Sequence, residues 1–401
     1  MTLKVLVFSR NYPNSVTPIL GLWVEQLVRQ LARVCEIKVI APVPYCPPLP
    51  HFIPYTRFRK IPLRQILNGI EVFHPRFFVG AGYSLHRFEG NTYLWGVRQQ
   101  VRQIQQEFPF DLVHAHIIYP DGVAASQIGV AYKVPVVITE HSFWHPWLDD
   151  YPSVRRQAVL AVNRCDAHIL ASRSLEDSVM RFTDRLDRVQ SIPIGVDVSL
   201  FTLPPSESLR QTNQILYVGR IKESKGFRYL LQAMCRLLNI YPDLELVIVG
   251  GGLWGHQTAE EICLRSLAQS LGLLEKIKFL GVKTPVEVAV LMQTSTLLVL
   301  PSMRETFSAV IVEALACGTP VVATRCGGPE DIVNESVGML VPKEDEKALA
   351  EAIAYVIQHR DRYHPDRLRA YAVQNYSWEK VTEQTFHLYQ KVLAAKLKSL
   401  S

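Results

Sequence analysis

The chain reads as α/β, with two doubly wound parallel-sheet domains in tandem. Three observations predict this. Its 401 residues exceed a single ordinary domain of ~100–200 residues. Short, wholly apolar runs alternate with amphipathic stretches, which is the pattern of a parallel sheet covered by helices on both faces. That alternation then restarts after a Pro-rich break.

In the first series, residues 4–8 predict a strand, 22–34 a helix and 36–41 a second strand. Residues 93–107 predict a helix, and 111–115 and 135–139 two further strands. The break at 192–204 carries Pro193 and Pro204, with Pro205 following, and has the composition of a linker. In the second series, 214–218, 244–250, 276–280, 296–300 and 320–324 predict strands, and 226–238, 258–271 and 308–317 predict helices. Residues 378–397 predict a last helix.

With 48% apolar and 20% charged residues, the chain is ordinary for a soluble globular protein, which excludes a collagen, a coiled coil or a disordered tail. The net charge of +6 comes without a long Lys/Arg run, so nothing points to nucleic acid. The seven Cys are scattered and form no C-x-x-C, a reduced, cytoplasmic pattern and neither a disulfide framework nor a zinc knuckle. The apolar run at 5–8 is too short for a signal-peptide core, and no stretch approaches the ~18 residues of a membrane span. Any membrane contact is therefore expected to be peripheral.

Residues 41–88 break the rhythm. They are rich in Pro, aromatics and Arg, show no clear helix, and lack acids from 37 to 70 while holding Lys38, Arg57, Arg59, Lys60 and Arg64. Two readings stand: a solvated loop insertion, or a basic, aromatic-edged surface at 57–64 that meets an anionic lipid or acceptor.

The densest chemical signal is LPSMRETFSAVIVEALACGTPVVATRCGGPED at 300–331. Glu305 falls in the loop after a strand, where open α/β sheets bind ligands. The amides of Phe307, Ser308, Ala309 and Val310 open the next helix, a ready site for a phosphate. Glu313 follows in an apolar helix, where a carboxylate is costly to bury without hydrogen-bond donors. Either ribose hydroxyls supply them, or Glu313 is structural and paired with a cation such as Arg325. Arg220 and Lys225, in the loop after another strand and before Gly226, suit a diphosphate; a solvated loop is the plain alternative.

Residues 250–255 satisfy G-x-G-x-x-G, but the acid expected ~20 positions on is missing. A tight turn at Gly250 that lets a nucleotide or backbone approach is the better reading than a nicotinamide cofactor. In the first half, His114 and His116 share one strand face, and His141 and His145 follow the next strand. No H-E-x-x-H frame or helical spacing marks them as metal ligands. The strand-end place of His116 favours a site role. Gly21, before the first helix, either admits a ligand to the backbone or simply caps that helix.

Together these residues resemble the family-4 retaining glycosyltransferases of GT-B fold. The resemblance spans nearly the whole chain and is strongest from Tyr217 to Val341, centred on the E-x7-E pair Glu305 and Glu313, with YVGRIKESKGF, LVIVGGG, DLVHAH and IPIGVD around it. It implies two Rossmann-like domains facing across a cleft: residues 1–198 on the acceptor side, with the helix 379–401 crossing back onto them, and residues 199–378 holding a nucleotide-diphosphate sugar. It implies a metal-independent hexosyltransferase that retains configuration by a front-face route and needs no enzymic nucleophile or cofactor. The acceptor would be a glycan or a lipid-linked molecule, in polysaccharide biosynthesis, in the cytoplasm or peripherally on the inner face of the plasma membrane. By the same resemblance Glu313 would bind the ribose, Arg220 and Lys225 the diphosphate with the amides near Ala309 and Val310, and Glu305 with the backbone of Phe307 and Ser308 the donor sugar. Gly281 and Val282 would flank the base, Gly250 would admit the nucleotide, and Gly21 and His116 would approach the donor from the first domain. Thr306, Ser308 and Leu22 stand where the family often has Gly, or for Thr306 Gly or Ser. A catalytically silent protein of the same fold, binding a nucleotide sugar or glycan, is the alternative.

Overall fold

A computed structural model describes residues 2–47, 50–80, 85–206, 210, 213–251 and 258–400. They form two compact units: unit 1 is Met1–Pro193 with Val381–Ser401, and unit 2 is Ile194–Lys380.

Unit 1 contains β1 (Lys4–Phe8), α1 (Leu22–Leu31), β2 (Glu36–Ile40), β3 (Val43–Pro44), β4 (Arg64–Leu67), β5 (Ile70–Phe73), β6 (Arg76–Phe77), α2 (Glu89–Glu107), β7 (Leu112–His116), α3 (Val123–Tyr132), β8 (Val136–Glu140), α4 (Pro152–Arg164), β9 (Ala167–Leu170), α5 (Glu176–Met180) and β10 (Val189–Ser191). Its main sheet has the order β10-β9-β8-β7-β1-β2-β5-β4, with every pair parallel except β4 with β5. β7 and β8 are buried along their whole length, as strands covered on both faces must be.

Unit 2 contains β11 (Gln214–Val218), α6 (Phe227–Leu238), β12 (Glu245–Val249), α7 (Ala259–Ser270), β13 (Ile277–Gly281), α8 (Pro285–Thr294), β14 (Leu297–Leu300), α9 (Ala309–Ala316), β15 (Val321–Thr324), α10 (Pro329–Ile332), β16 (Gly338–Val341), α11 (Glu346–Gln358) and α12 (Pro365–Tyr376). Its six strands are all parallel, in the order β13-β12-β11-β14-β15-β16. The two doubly wound α/β domains expected from the sequence are thus present. The last helix, α13 (Trp378–Leu400), starts in unit 2 and continues in unit 1.

Two segments differ from their sequence reading. Residues 41–88 are not a plain loop insertion. They contain a 3₁₀ helix at Pro50–Lys60 and the β4–β5 hairpin, which extends the main sheet through β2. Asn68 and Gly69, both at positive φ, make the two-residue turn, with Leu67 opposite Ile70. Glu71, on β5, is an acid that the cations reach: Lys38 Nζ lies 2.7 Å from it, and Arg64 also pairs with it. The other segment is the Pro-rich break, which is packed and not a loose tether. The Val196 N–H donates to the Tyr376 carbonyl at 2.8 Å, and Asp197 Oδ1 accepts from the amides of Ser199 and Leu200 at 3.0 and 3.2 Å.

Among the described residues no helix is long and apolar enough to cross a membrane. None of the seven cysteines is in a disulfide.

The loops after β11 and β14 dock closely. Gly226, at φ 66°, caps the start of α6, and a Cβ there would lie 1.7 Å from the Pro301 carbonyl oxygen. Gly226→Ala is therefore expected to cost clearly more than the about 1–2 kcal/mol of a left-handed L-residue. Gly272→Ala, at φ 69° with nothing within 4 Å of the new Cβ, is expected to cost only that backbone penalty. Urea unfolding of the two variants beside the parent checks the difference.

Candidate active site

In unit 2 the strand order reverses between β11 and β14, because the chain winds outward from β11 in one direction and from β14 in the other. The loops leaving the carboxyl ends of these two strands part there, and the crevice they leave is where doubly wound sheets bind ligands. Most of the sequence-predicted residues of unit 2 are on these two loops or on α9, which the second loop enters.

Arg220 and Lys225 are on the first. The Tyr217 hydroxyl donates to the Arg220 carbonyl at 2.7 Å and fixes the turn, while the Arg220 side chain is exposed. Lys225 Nζ donates to Glu305 Oε1 at 2.6 Å. Ser302 Oγ donates to the same oxygen at 2.6 Å. The Glu305 backbone is held from both sides, since its N–H donates to the Cys326 carbonyl at 3.1 Å and its carbonyl accepts from Gly328 N–H at 2.9 Å. Lys225 and Glu305 are largely sheltered, with 19% and 13% of their side chains accessible. A pair this shielded is screened less by salt than a surface pair.

The second loop runs into α9. Phe307 is buried, and Ser308, at φ 80°, sits in the left-handed region as the helix cap. Its Oγ is buried without a hydrogen-bond partner. Helix α9 begins at Ala309, so the amides of Ala309 and Val310 have no acceptor within the helix. Glu313 lies one turn further along. It keeps some accessible surface, yet protein surrounds it closely enough that desolvation pushes its carboxyl from 4.5 up to about 7. No cation or donor among the described residues reaches that carboxylate, and Arg325 is exposed and does not pair with it. The structural pairing weighed from the sequence is not formed.

The remaining unit 2 positions lie at neighbouring strand ends. Gly219 N–H donates to the Val249 carbonyl at 2.9 Å, and Gly250 N–H to the Gly281 carbonyl at 2.8 Å, which laces β11, β12 and β13 together. Val282 follows, 66% exposed. Residues 252–255 of the G-x-G-x-x-G run lie outside the described residues.

In unit 1 the strand order reverses at β1, between β7 and β2. His116 ends β7. Gly21, at φ 75°, starts α1, where a Cβ would lie 1.7 Å from the Asn11 carbonyl oxygen after β1. The histidines form a stack. The His114 and His116 rings are 4.4 Å apart, and His116 lies 5.2 Å from His141, nearly parallel. His116 Nδ1 and His141 Nε2 share a hydrogen bond of 2.9 Å, while His116 Nε2 is buried with no partner. His114 binds the Tyr389 hydroxyl at 2.6 Å and Thr139 Oγ1 at 2.7 Å. Burial pushes the His114 imidazole down to about 3 and His141 down to about 4, so both are neutral at physiological pH. His141, not His145, is the neighbour of His116. Among the described residues no group of three His, Cys, Asp or Glu is placed to hold a metal ion.

The sequence reading passed over several residues at these strand ends. Ser302 lies three positions before Glu305 and shares its oxygen with Lys225. In unit 1, Arg10 follows β1 directly and pairs with Glu89, and its amide donates to Asp121 Oδ1 at 3.0 Å. Burial raises the Asp121 carboxyl to about 7. Glu140, at the end of β8, accepts from Ile118, His141 and Ser142 amides and from Ser142 Oγ at 2.9–3.1 Å. The rule that ligands meet strand carboxyl ends would have found Arg10 and Glu140. Nothing local marks Glu89, which is 79 positions from Arg10.

Comparison with known proteins gives matches over both halves. Residues 203–375 match the family model for glycosyl transferases group 1, and residues 20–200 that for glycosyltransferase family 4. The chain is 28% identical to an alpha-maltose-1-phosphate synthase of Mycolicibacterium smegmatis, covering 98% of this chain and 100% of that one. It is 30% identical to a D-inositol 3-phosphate glycosyltransferase of Pseudarthrobacter chlorophenolicus, covering 73% of each. Among solved structures it resembles sucrose-phosphate synthase of Thermosynechococcus elongatus, with a TM-score of 0.76 at 21% identity over 98% of this chain and 100% of that one. HepE of Anabaena in complex with UDP gives a TM-score of 0.73 at 21% identity, over 97% and 100%.

The raised pKa of Glu313 sets the sign of a pH effect. Between 4.5 and about 7 the folded chain holds a proton that the unfolded chain has released. Its contribution to stability is therefore full below 4.5 and is lost as pH rises through about 7. Glu313→Gln is expected to remove that slope, so that urea unfolding midpoints of parent and variant diverge as pH is raised from about 5 to about 8.

Proposed function

Because this chain belongs to the glycosyltransferases of the group 1 and family 4 type, with the GT-B fold, we propose that it moves a hexose from a nucleotide-diphosphate sugar to a glycan or lipid-linked acceptor. Configuration is retained, and no metal is required. The observation that most supports this is the assembly at the unit 2 switch point: Lys225 and Glu305 in contact beside the start of α9, and an ionisable Glu313 left without a partner among apolar neighbours.

On this reading each feature has a chemical task. Ribose hydroxyls donate to Glu313 and repay the desolvation of its carboxylate. The diphosphate lies against Arg220, Lys225 and the amides of Ala309 and Val310, where cations and a helix N-terminus favour negative charge. Glu305 and the backbone of Phe307 and Ser308 hold the donor sugar, Gly250 admits the nucleotide, and Gly281 and Val282 flank the base. Gly21 and His116 are the donor-directed residues of unit 1.

In transfer, the bond from the anomeric carbon to the β-phosphate oxygen breaks, and a bond to the acceptor oxygen forms on the same face. The acceptor's proton passes to the departing phosphate. Negative charge develops on the diphosphate and positive charge on the sugar ring. The fixed cations and helix amides stabilise the first, and no protein nucleophile is called on.

A second part of the proposal concerns location. The chain is taken as cytoplasmic, with peripheral contact to an anionic membrane through 57–64. Leu63 and Ile66 are 61% and 77% exposed there, beside exposed Arg57, Lys60 and Arg64. Part of the positive charge is offset, because Arg64 pairs with Glu71.

Calorimetric titration with UDP-, GDP- and ADP-sugars tests the donor site. One of them is expected to bind, and Glu313→Ala to weaken it about tenfold or more, since hydrogen bonds to charged groups contribute ~1.5–3 kcal/mol. Arg220→Ala and Lys225→Ala are expected to lower affinity for the corresponding nucleoside diphosphate as well. Unchanged affinity in all three variants removes the site, and binding without sugar transfer favours a silent binder. Sedimentation with phosphatidylglycerol vesicles tests the surface at 57–64, where binding should fall as salt rises. Absent or salt-insensitive binding removes the membrane contact.

A further inference from the structure

Unit 1 has a cavity of about 470 Å³ that none of the assignments above uses. Its walls come from the segments that follow β1, β7 and β8 and from the start of α2, at the carboxyl ends of strands where the sheet order reverses. Arg10, Glu89, Tyr119, Glu140, Ser142 and Trp144 set its chemistry.

Acidic side chains outnumber Lys and Arg in this cavity. Arg10 is the only Lys or Arg among the described lining residues, against the two carboxylates of Glu89 and Glu140. Its guanidinium is already engaged by Glu89, whose side chain is 5% accessible. Asp121, fully buried, lies behind it on the Arg10 amide. A phosphate entering here would meet two acids and a cation whose charge is already matched.

Hydroxyl groups fit better. Among the described residues Glu140 Oε1 accepts three hydrogen bonds and Oε2 one, from Ile118 N–H, so Oε2 has capacity for another donor. A sugar hydroxyl can donate, and an ionised phosphate cannot. Tyr119 and Trp144 add aromatic surface for the C–H face of a ring. The same carboxylate accepts from the His141 amide, and His141 stacks on His116, so this wall is continuous with the histidine whose Nε2 has no partner.

We propose that this cavity is the acceptor subsite and takes an uncharged polyhydroxylated ring, with no phosphate beside the reacting hydroxyl. The inference rests on the transferase reading. It separates this chain from the similar D-inositol 3-phosphate glycosyltransferase, whose name specifies a phosphorylated polyol.

The test uses the full chain and two independent titrations. UDP and GDP titrations report the donor site alone. Saturation-transfer NMR then compares maltose and methyl α-glucoside with glucose 1-phosphate and inositol 1-phosphate. The neutral probes are expected to bind, and the phosphorylated ones about tenfold or more weakly. Glu89→Gln should narrow that gap by removing one negative charge. Trp144→Ala should abolish the neutral signal; Tyr119→Leu does the same job if loss of the Trp144 contact to Phe182 unfolds the chain. The proposal is overturned by equal or tighter binding of the phosphorylated probes, by no signal from the neutral ones, or by folded Trp144 and Tyr119 variants that bind as the parent does. Nucleotide binding alongside any of these outcomes leaves the transferase reading standing. Neutral-sugar binding without nucleotide binding removes that reading instead.

Discussion

Unit 2 depends on the absence of a side chain at Gly226. The loop after β11 and the loop after β14 touch there, with no room for even a methyl group. That contact brings the Met303 N–H to the Ser224 carbonyl at 3.0 Å and sets Lys225 opposite Glu305. Ser302 adds a second donor to the same carboxylate oxygen, and Thr324, at the end of β15, donates to the Ser302 carbonyl. Two loops and the end of a third strand are thereby held by one chain of contacts, so the place of each charged group follows from backbone packing more than from its own rotamer.

The two units gather different sets of charged groups at similar places. Both reverse their strand order, and both gather their polar groups at the strand ends beside the reversal. Unit 2 sets Arg220, Lys225 and the first amides of α9 there. Unit 1 sets Glu89, Asp121 and Glu140 there and gives its one nearby guanidinium, Arg10, to acids. The buried histidines follow the same economy of charge: desolvation keeps His114 and His141 neutral, so the stack on His116 forms without like-charge repulsion.

Most of this architecture was legible because parallel strands buried on both faces leave uninterrupted apolar runs. β1, β8, β11, β12, β14 and β15 are recognisable for that reason, and strand ends then pointed to Glu305, Arg220, Lys225 and His116 without any knowledge of packing. The edge of unit 1 was not legible. β4 and β5 are four residues long; β4 has no buried position, and half-buried Glu71 interrupts the apolar residues of β5. Their Asn68-Gly69 turn was the signal that could have found them, and it lay hidden in a stretch dominated by Pro, Arg and aromatics. The Glu89 partner of Arg10 depends on tertiary placement that no local pattern encodes, whereas the Ser302 contact to Glu305 spans only three positions. Glu313 could be read as held by ribose hydroxyls or as paired within the chain, and among the described residues no cation or donor pairs with it.

The hydrogen bond from Tyr389 to His114 joins residues 275 positions apart. Both side chains are fully buried, and Tyr389 belongs to the final segment, Val381–Ser401, that completes unit 1. Unit 2 is continuous in sequence and unit 1 is not. During synthesis from the N-terminus, Met1–Pro193 therefore emerges before the segment Val381–Ser401 that belongs to the same unit, while Ile194–Lys380 emerges as one uninterrupted run. The unit begun first is completed after the other, because its contacts include Val381–Ser401, which follows all of Ile194–Lys380 in sequence.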